Sequence, residues 1–274
     1  PLFRVTGRNR ESLLFLPEVA IEMPATARLA ARRTLTLTVG ADARLEGAPS
    51  SLLAELKRLL TLDNPKYRDA CKYGRWIGKK LQPHLYFFRE EPAALRFPRG
   101  FANQAVRLCR RHLGQDPQLV DLRRQRPRVD LRFTGSLRPY QQEAVNKILR
   151  RDFGVLEAGT GSGKTVIALA VIARRGQPTL ILVHTKELLY QWAERIEQFL
   201  GQPAGRLGDG HCEQRPVTVA IVNSARNQLP ALAEQYGQIC VDECHRVPAS
   251  LFTEVVEAFD CRFSLGLSAT AFRR

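Results

Sequence analysis

Between residues 153 and 272, short apolar runs alternate with longer stretches of helical spacing. Phe153–Leu156, Thr179–Val183, Val217–Val222, Ile239–Val241 and Arg262–Leu267 read as strands. Such continuous apolar runs suit strands covered on both faces. Between them, Val166–Ala173, Lys186–Leu200 and Leu251–Phe259 read as helices. In the second of these, Leu189, Trp192, Ile196 and Phe199 fall on one face. Strand and helix in alternation predict an α/β lobe built on a parallel sheet, with its ligand at the carboxyl ends of the strands.

Residues 1–133 carry a different pattern. Thr34–Val39 alternates as a strand. Leu52–Leu62 has the spacing of an amphipathic helix, with Leu52, Leu53, Leu56, Leu59 and Leu60 inward. His84–Phe88 and Ala94–Phe97 predict a hairpin turning at Arg89–Pro92. Gly100–Leu113 reads as a helix burying Phe101, Ala105, Leu108 and Cys109, and Val129–Phe133 as a last strand. A small α+β domain over 1–135, an Arg-rich linker near 123–136 and a second domain over 136–274 follow.

Charge separates the same two parts. Residues 1–135 hold 26 Lys/Arg against 13 Asp/Glu, whereas 136–274 hold 16 against 14. The basic excess points to a polyanion partner for the first domain. Cations and rings interleave at Lys66, Tyr67, Arg68, Lys72, Tyr73, Arg75, Trp76, Lys79 and Lys80. This suits phosphate contacts with base stacking, and suits a core under a solvated basic face equally for the rings. No apolar run approaches the ~18 residues of a membrane span, and the first residues lack a signal-peptide pattern. The expectation is a cytoplasmic protein with no membrane partner. The six cysteines show no Cys-x-x-Cys pair, so core thiols are expected rather than zinc.

The chemistry lies in Ala158-Gly159-Thr160-Gly161-Ser162-Gly163-Lys164-Thr165. A glycine-rich turn between strand and helix lets backbone N–H groups wrap a triphosphate. Lys164 would reach the β- and γ-phosphates, and the Thr165 hydroxyl would sit on Mg²⁺. Ala158 stands where the first glycine of the pattern is usual. Downstream, Asp242-Glu243-Cys244-His245 closes the Ile239–Val241 strand. Asp242 would hold Mg²⁺ and Glu243 would polarise an attacking water, which makes ATP and Mg²⁺ the expected cofactors.

Asp-Glu-Cys-His is a DExH box, and with it the chain resembles the superfamily 2 helicases. The wording is similar to the xeroderma pigmentosum group B and UvsW-like members, through Leu137-Arg138-Pro139-Tyr140-Gln141, Asp242 to Ala249, and Leu265 to Thr270. The resemblance implies a RecA-like motor lobe preceded by a DNA-binding domain. It makes Arg138 and Gln141 adenine-site residues, Thr185 a nucleic-acid contact in motif Ia, His245 a link from the γ-phosphate, and Ser268, Ala269 and Thr270 the coupling motif. It implies a DNA-dependent ATPase acting on forked, branched or single-stranded DNA, or on RNA. It also implies a second RecA-like lobe. The chain ends four residues after Thr270, so it is expected to be part of a longer enzyme and inactive alone. The alternatives are the motor of a restriction or defence complex, and a DNA- and nucleotide-binding module without turnover.

Overall fold

The computed structural model describes residues 3–6, 34–74, 76, 81–244 and 254–269. The chain divides into two units, Phe15–Leu122 and Pro1–Leu14 with Arg123–Arg274. The first strand, β1 (Phe3–Thr6), therefore belongs with the second half of the chain.

The smaller unit is built on a five-stranded sheet. Its strands are β2 (Thr36–Val39), β3 (Ala43–Glu46), β6 (Arg89–Glu91), β7 (Ala94–Phe97) and β8 (Gln118–Asp121), in the order β6-β7-β3-β2-β8. A two-stranded ribbon pairs β4 (Thr61–Asp63) with β5 (His84–Tyr86). Helices α1 (Ser50–Leu59), α2 (Pro65–Lys72) and α3 (Ala102–Leu113) complete it. Leu52 and Leu56 of α1 and Ala105 and Cys109 of α3 pack with Leu37, Leu45 and Leu95 of the sheet. Lys57 and Arg58 in the last turn of α1 and Arg110 and Arg111 in that of α3 oppose the helix dipoles.

Three expectations for this unit are corrected. The leucine helix ends at Leu59, and Thr61–Asp63 becomes strand β4. His84–Tyr86 pairs with β4 rather than with Ala94–Phe97. That pairing is extended at both ends, where Phe87 N–H donates to Leu60 O at 2.8 Å and Asn64 N–H to Pro83 O at 2.8 Å. The hairpin is instead Arg89–Glu91 with Ala94–Phe97, turning at Ala93 with φ 64°. Glu91 holds it: its carboxylate accepts from Arg44 Nε and Arg96 Nε, each at 2.8 Å. The helix expected from Gly100 begins at Ala102, after a 3-10 turn over Arg99–Phe101.

The larger unit carries α4 (Pro139–Leu149), β9 (Phe153–Ala158), α5 (Lys164–Arg175), β10 (Thr179–Val183), α6 (Lys186–Leu200), β11 (Gly205–Gly208), β12 (His211–Glu213), β13 (Val217–Ile221), α7 (Val222–Arg226), α8 (Leu229–Gln235), β14 (Gln238–Val241) and β15 (Phe263–Ser268). Its sheet runs β1-β9-β15-β14-β10-β13-β11-β12. The six strands from β9 to β11 are mutually parallel, with β1 and β12 antiparallel at the edges. Alternation along β10 feeds two cores. Ile181 and Val183 join α5 and α6 on one face, and Leu180 and Leu182 join α7 and α8 on the other. The parallel α/β expectation holds, although Val222 opens α7 instead of ending its strand. Of the helix expected over Leu251–Phe259, residues 254–257 are helical and 251–253 lie outside the described residues. No helix among the described residues is long and apolar enough to cross a membrane.

The expected strand Val129–Phe133 has no sheet partner and forms a strap along the helices. Its alternation reflects packing on helix ends: Val129 N–H donates to Gly176 O at 2.8 Å and Thr134 N–H to Phe199 O at 2.9 Å, with Leu131 in the core. Earlier in the strap Arg124 bridges to Cys261 and pairs with Asp260 at 2.5 Å. The strap therefore joins the larger unit from Arg123 onward, rather than from the expected boundary at 135/136.

Glu91 makes the hairpin sensitive to acid. The Arg44 hydrogen bond, with the charges and hydrogen bonds of Arg96, holds its pKa below the ordinary value against desolvation. A depressed folded-state pKa gives stability that is present above the unfolded value and lost as pH falls through the folded one. Glu91→Gln should lower stability at neutral pH and remove that part of the acid dependence in a denaturant-unfolding series. Identical profiles for the variant and the parent would contradict the assignment.

Candidate functional site

The carboxyl end of β9 leads through Ala158, 4% exposed, into the loop 159–163 and then α5. Gly161 and Gly163 have φ of 78° and 79°, a region closed to most side chains. Gly163 is constrained a second time, because a Cβ there would collide with the Gln141 side-chain amide. Lys164 opens α5 and folds back, with Nζ donating to Ala158 O at 3.0 Å and Gly159 O at 3.2 Å. Ser162 Oγ is buried and has no hydrogen-bond partner. Thr165 follows Lys164 in the first turn of α5, where helix N–H groups lack intrahelical acceptors.

Helix α4 closes one side of this loop. Arg138 is its N-cap residue, and Pro139 at N1 needs no N–H partner. Gln141, 7% exposed, reaches back so that Oε1 accepts from Arg138 N–H at 2.9 Å. Its Nε2 donates to Ser162 O at 3.2 Å, and Tyr140 OH donates to the same carbonyl at 3.2 Å. Beside them lies a recess of about 340 Å³ whose lining includes Leu137, Arg138, Tyr140, Gln141, Val166 and Phe199. Phe199 is held by a stack on Phe133 with centroids 5.9 Å apart.

Two strands away, β14 delivers Asp242 and Glu243. Asp242 is 7% exposed; Oδ2 accepts from Trp192 Nε1 at 2.8 Å and Oδ1 from Glu243 N–H at 2.9 Å. Burial raises its pKa above the ordinary value, against the Trp192 and Glu243 N–H hydrogen bonds and the charge of Lys164. Glu243 sits at φ 49°, a left-handed conformation unusual for a residue with a side chain. Ser268, fully buried, ends β15 between β9 and β14, and Ala269 follows. Burial pushes the Cys244 thiol up to about 11 and the Cys240 thiol well above its usual value. Neither therefore offers a ready thiolate.

The cradle, Arg138, Gln141, Asp242, Glu243 and Ser268 thus meet at one edge of one sheet. Thr185 lies at the adjacent end of β10, where its hydroxyl caps α6 by accepting from Leu188 N–H at 3.3 Å. Lys66, Lys72 and Trp76 are exposed on the smaller unit. His245, Thr270, Arg75, Lys79 and Lys80 lie outside the described residues. Trp192 is a site residue that sequence reasoning left among the core positions. Its signal was chemical, since a buried indole N–H needs an acceptor.

A family model described as "Type III restriction enzyme, res subunit" matches residues 134–273. The chain belongs to that family. The DNA 3'-5' translocase XPB2 of Sulfurisphaera tokodaii is 34% identical over 137 residues, covering 50% of this chain and 31% of that protein. The DNA 3'-5' helicase XPB of Kineococcus radiotolerans is 32% identical over 157 residues, 53% of this chain and 28% of that protein. The chain thus spans between a quarter and a third of the length of the curated relatives just described. In fold it is similar to the UvsW helicase of bacteriophage T4, at 18% identity and a TM-score of 0.62. That match covers 86% of this chain and 93% of that one. The lobe is thus similar in sequence to the XPB relatives and in fold to the UvsW helicase.

The residues present fit a nucleoside triphosphate with a divalent cation. Ser162 Oγ is buried without a partner, the first N–H groups of α5 lack intrahelical acceptors, and Lys164 Nζ donates to loop carbonyls that a phosphate would replace. Asp242 is the carboxylate that would hold the cation, and the Trp192 indole N–H would orient it. Trp192→Phe keeps the ring and deletes the donor. The Mg²⁺ concentration needed for half-maximal nucleotide binding should rise about tenfold or more, with metal-free binding and the circular dichroism spectrum unchanged. An unaltered Mg²⁺ midpoint would refute this role.

Proposed function

We propose that this chain is part of an ATP-dependent DNA translocase or helicase, working in the cytoplasm. The larger unit binds Mg²⁺-ATP, and the smaller unit binds DNA. The supporting observation is the sheet order β9-β15-β14, which brings the phosphate loop, Ser268 and the Asp242–Glu243 pair to one edge. The relatives' names, DNA 3'-5' translocase and DNA 3'-5' helicase, supply the polymer and the movement.

In this reading the nucleotide supplies the transferable phosphoryl group and Mg²⁺ supplies charge to its oxygens. Gln141 and Arg138 border the recess that would take the base. Loop N–H groups, Lys164 and Thr165 would hold phosphates and metal. Asp242 would hold the cation, whose charge favours the ionised carboxylate that burial disfavours. Glu243 would position water, and His245 would carry the signal to Ser268, Ala269 and Thr270. A second RecA-like lobe would complete the catalytic site. Forked, branched or single-stranded DNA would bind through the basic first half of the chain, including Lys66 and Lys72, and through the region of Thr185. RNA offers the same phosphate chemistry.

The family's description supports one other reading, a translocating motor inside a restriction complex. A nuclease or methylase domain in the complete gene would favour it.

Lys164→Ala should abolish Mg²⁺-ATP binding to this chain in calorimetric titration while leaving the fold intact. Glu243→Gln should bind nucleotide like the parent, and should remove turnover from any form of the protein that hydrolyses ATP. Parental binding by the first variant, or parental turnover by the second, would refute the reading.

A further inference from the structure

Exposed apolar side chains are concentrated in one stretch of the chain. Of the nine large ones exposed among the described residues, six lie between 62 and 87: Leu62, Tyr73, Trp76, Leu85, Tyr86 and Phe87. Trp76 is 88% exposed, Tyr73 62% and Tyr86 57%. A concentration of this kind usually marks a binding surface.

The ribbon β4–β5 organises it. Leu62 stands opposite Leu85, and on the other face Thr61 stands opposite Tyr86 and Asp63 opposite His84. All but Thr61, which is half-buried, are exposed, so neither face of the ribbon is covered by a core. Along one face the rings of His84, Tyr86 and Phe88 follow one another edge to face, at centroid distances of 6.5 and 5.9 Å. A lone two-stranded ribbon is marginally stable, and this one is fixed by Asn64. That side chain donates to Gln82 O at 2.8 Å and accepts from Lys66 N–H at 3.1 Å, where it caps α2. Ribbon and helix are thereby joined. Helix α2 exposes Lys66, Arg68 and Lys72 against the single acid Asp69, and Lys72 Nζ lies 5.4 Å from the Tyr73 ring centroid.

We infer that this ribbon and the end of α2 form a stacking platform for the unpaired bases of a nucleic-acid strand. The phosphates of that strand are held by Lys66, Arg68 and Lys72. The inference rests on the nucleic-acid reading above and adds the face, the residues and the strandedness. Exposed rings gain most from partners with broad aromatic faces, and every base has one. Flanking cations select a polyanion over a neutral apolar peptide. Duplex DNA hides its bases and would use the cations alone.

The test is fluorescence anisotropy with end-labelled oligothymidylate and a duplex of equal phosphate number, using the chain 1–274. Tyr86→Ala should weaken single-strand binding about tenfold or more and leave duplex binding unchanged. Tyr86→Phe should behave like the parent, because the ring face is what matters. Trp76→Ala, at a position with almost no buried surface, should give the single-strand loss without any folding effect. Lys66→Gln/Lys72→Gln should weaken both polymers and flatten the salt dependence, by about 0.9 in log–log slope per lost phosphate contact on duplex. Folded ring variants that bind oligothymidylate like the parent, or that lose both polymers equally, overturn the platform while leaving the nucleic-acid reading standing. A parent chain that binds neither polymer at low salt overturns both.

Discussion

Gln141 stands at the first turn of α4 with each end of its amide committed. The oxygen accepts the Arg138 N–H, and the nitrogen donates to the carbonyl of Ser162. The second bond is possible only because residue 163 has no Cβ, which would occupy the place of the amide nitrogen. Helix capping, loop conformation and the shape of the recess beside Leu137 and Tyr140 therefore depend on one side chain. The far end of α4 is tied down as well. Arg175, at the end of α5, donates to Ile148 O at 3.3 Å and Arg151 O at 2.7 Å and lies over the Phe263 ring at 4.5 Å. Burial pushes its pKa down to about 10 against the charge of Asp152, which still leaves it cationic near neutral pH. Pinned at both ends, α4 holds the recess at a fixed distance from the phosphate loop.

The sheet supplies the other half of the site. Chain order alone would not place Asp242 near Lys164, since 78 residues separate them. Strand order does, because β14 and β15 insert between β9 and β10 and all four run parallel. The price is a buried carboxylate, and Trp192 with the Glu243 N–H offsets part of its desolvation. Trp192 lies on α6, the helix that Thr185 caps, so the expected nucleic-acid contact and the hydrogen-bond donor to the expected metal ligand share one helix.

Local chemistry made much of this legible in the sequence. The cradle and Asp242–Glu243 announce themselves because glycines, lysine and paired acids at a strand end have few other uses together. The apolar strands were readable because burial on both faces leaves no polar alternation. What stayed hidden depends on partners distant in the chain. Val129–Phe133 has strand-like alternation, but its backbone bonds go to the ends of α5 and α6. Glu91 looked like a turn residue because nothing local shows that Arg44, 47 residues earlier, would clamp it. Leu62 read as the end of the leucine helix and Leu85 as part of a hairpin with Ala94–Phe97, yet they face each other on an exposed ribbon. Trp192 was correctly placed inward, but its acceptor lies 50 residues away.

The contact between Gln141 and Gly163 can be measured by a double-mutant cycle on Mg²⁺-ATP affinity. Gly163→Ala should weaken binding strongly in the parent, through both the left-handed φ and the collision with the amide. In a Gln141→Ala background the collision is gone and only the backbone strain remains, so the same substitution should weaken binding several-fold less. An equal loss in both backgrounds would show that the two residues act independently, and the account of a loop and helix joined through one amide would be wrong.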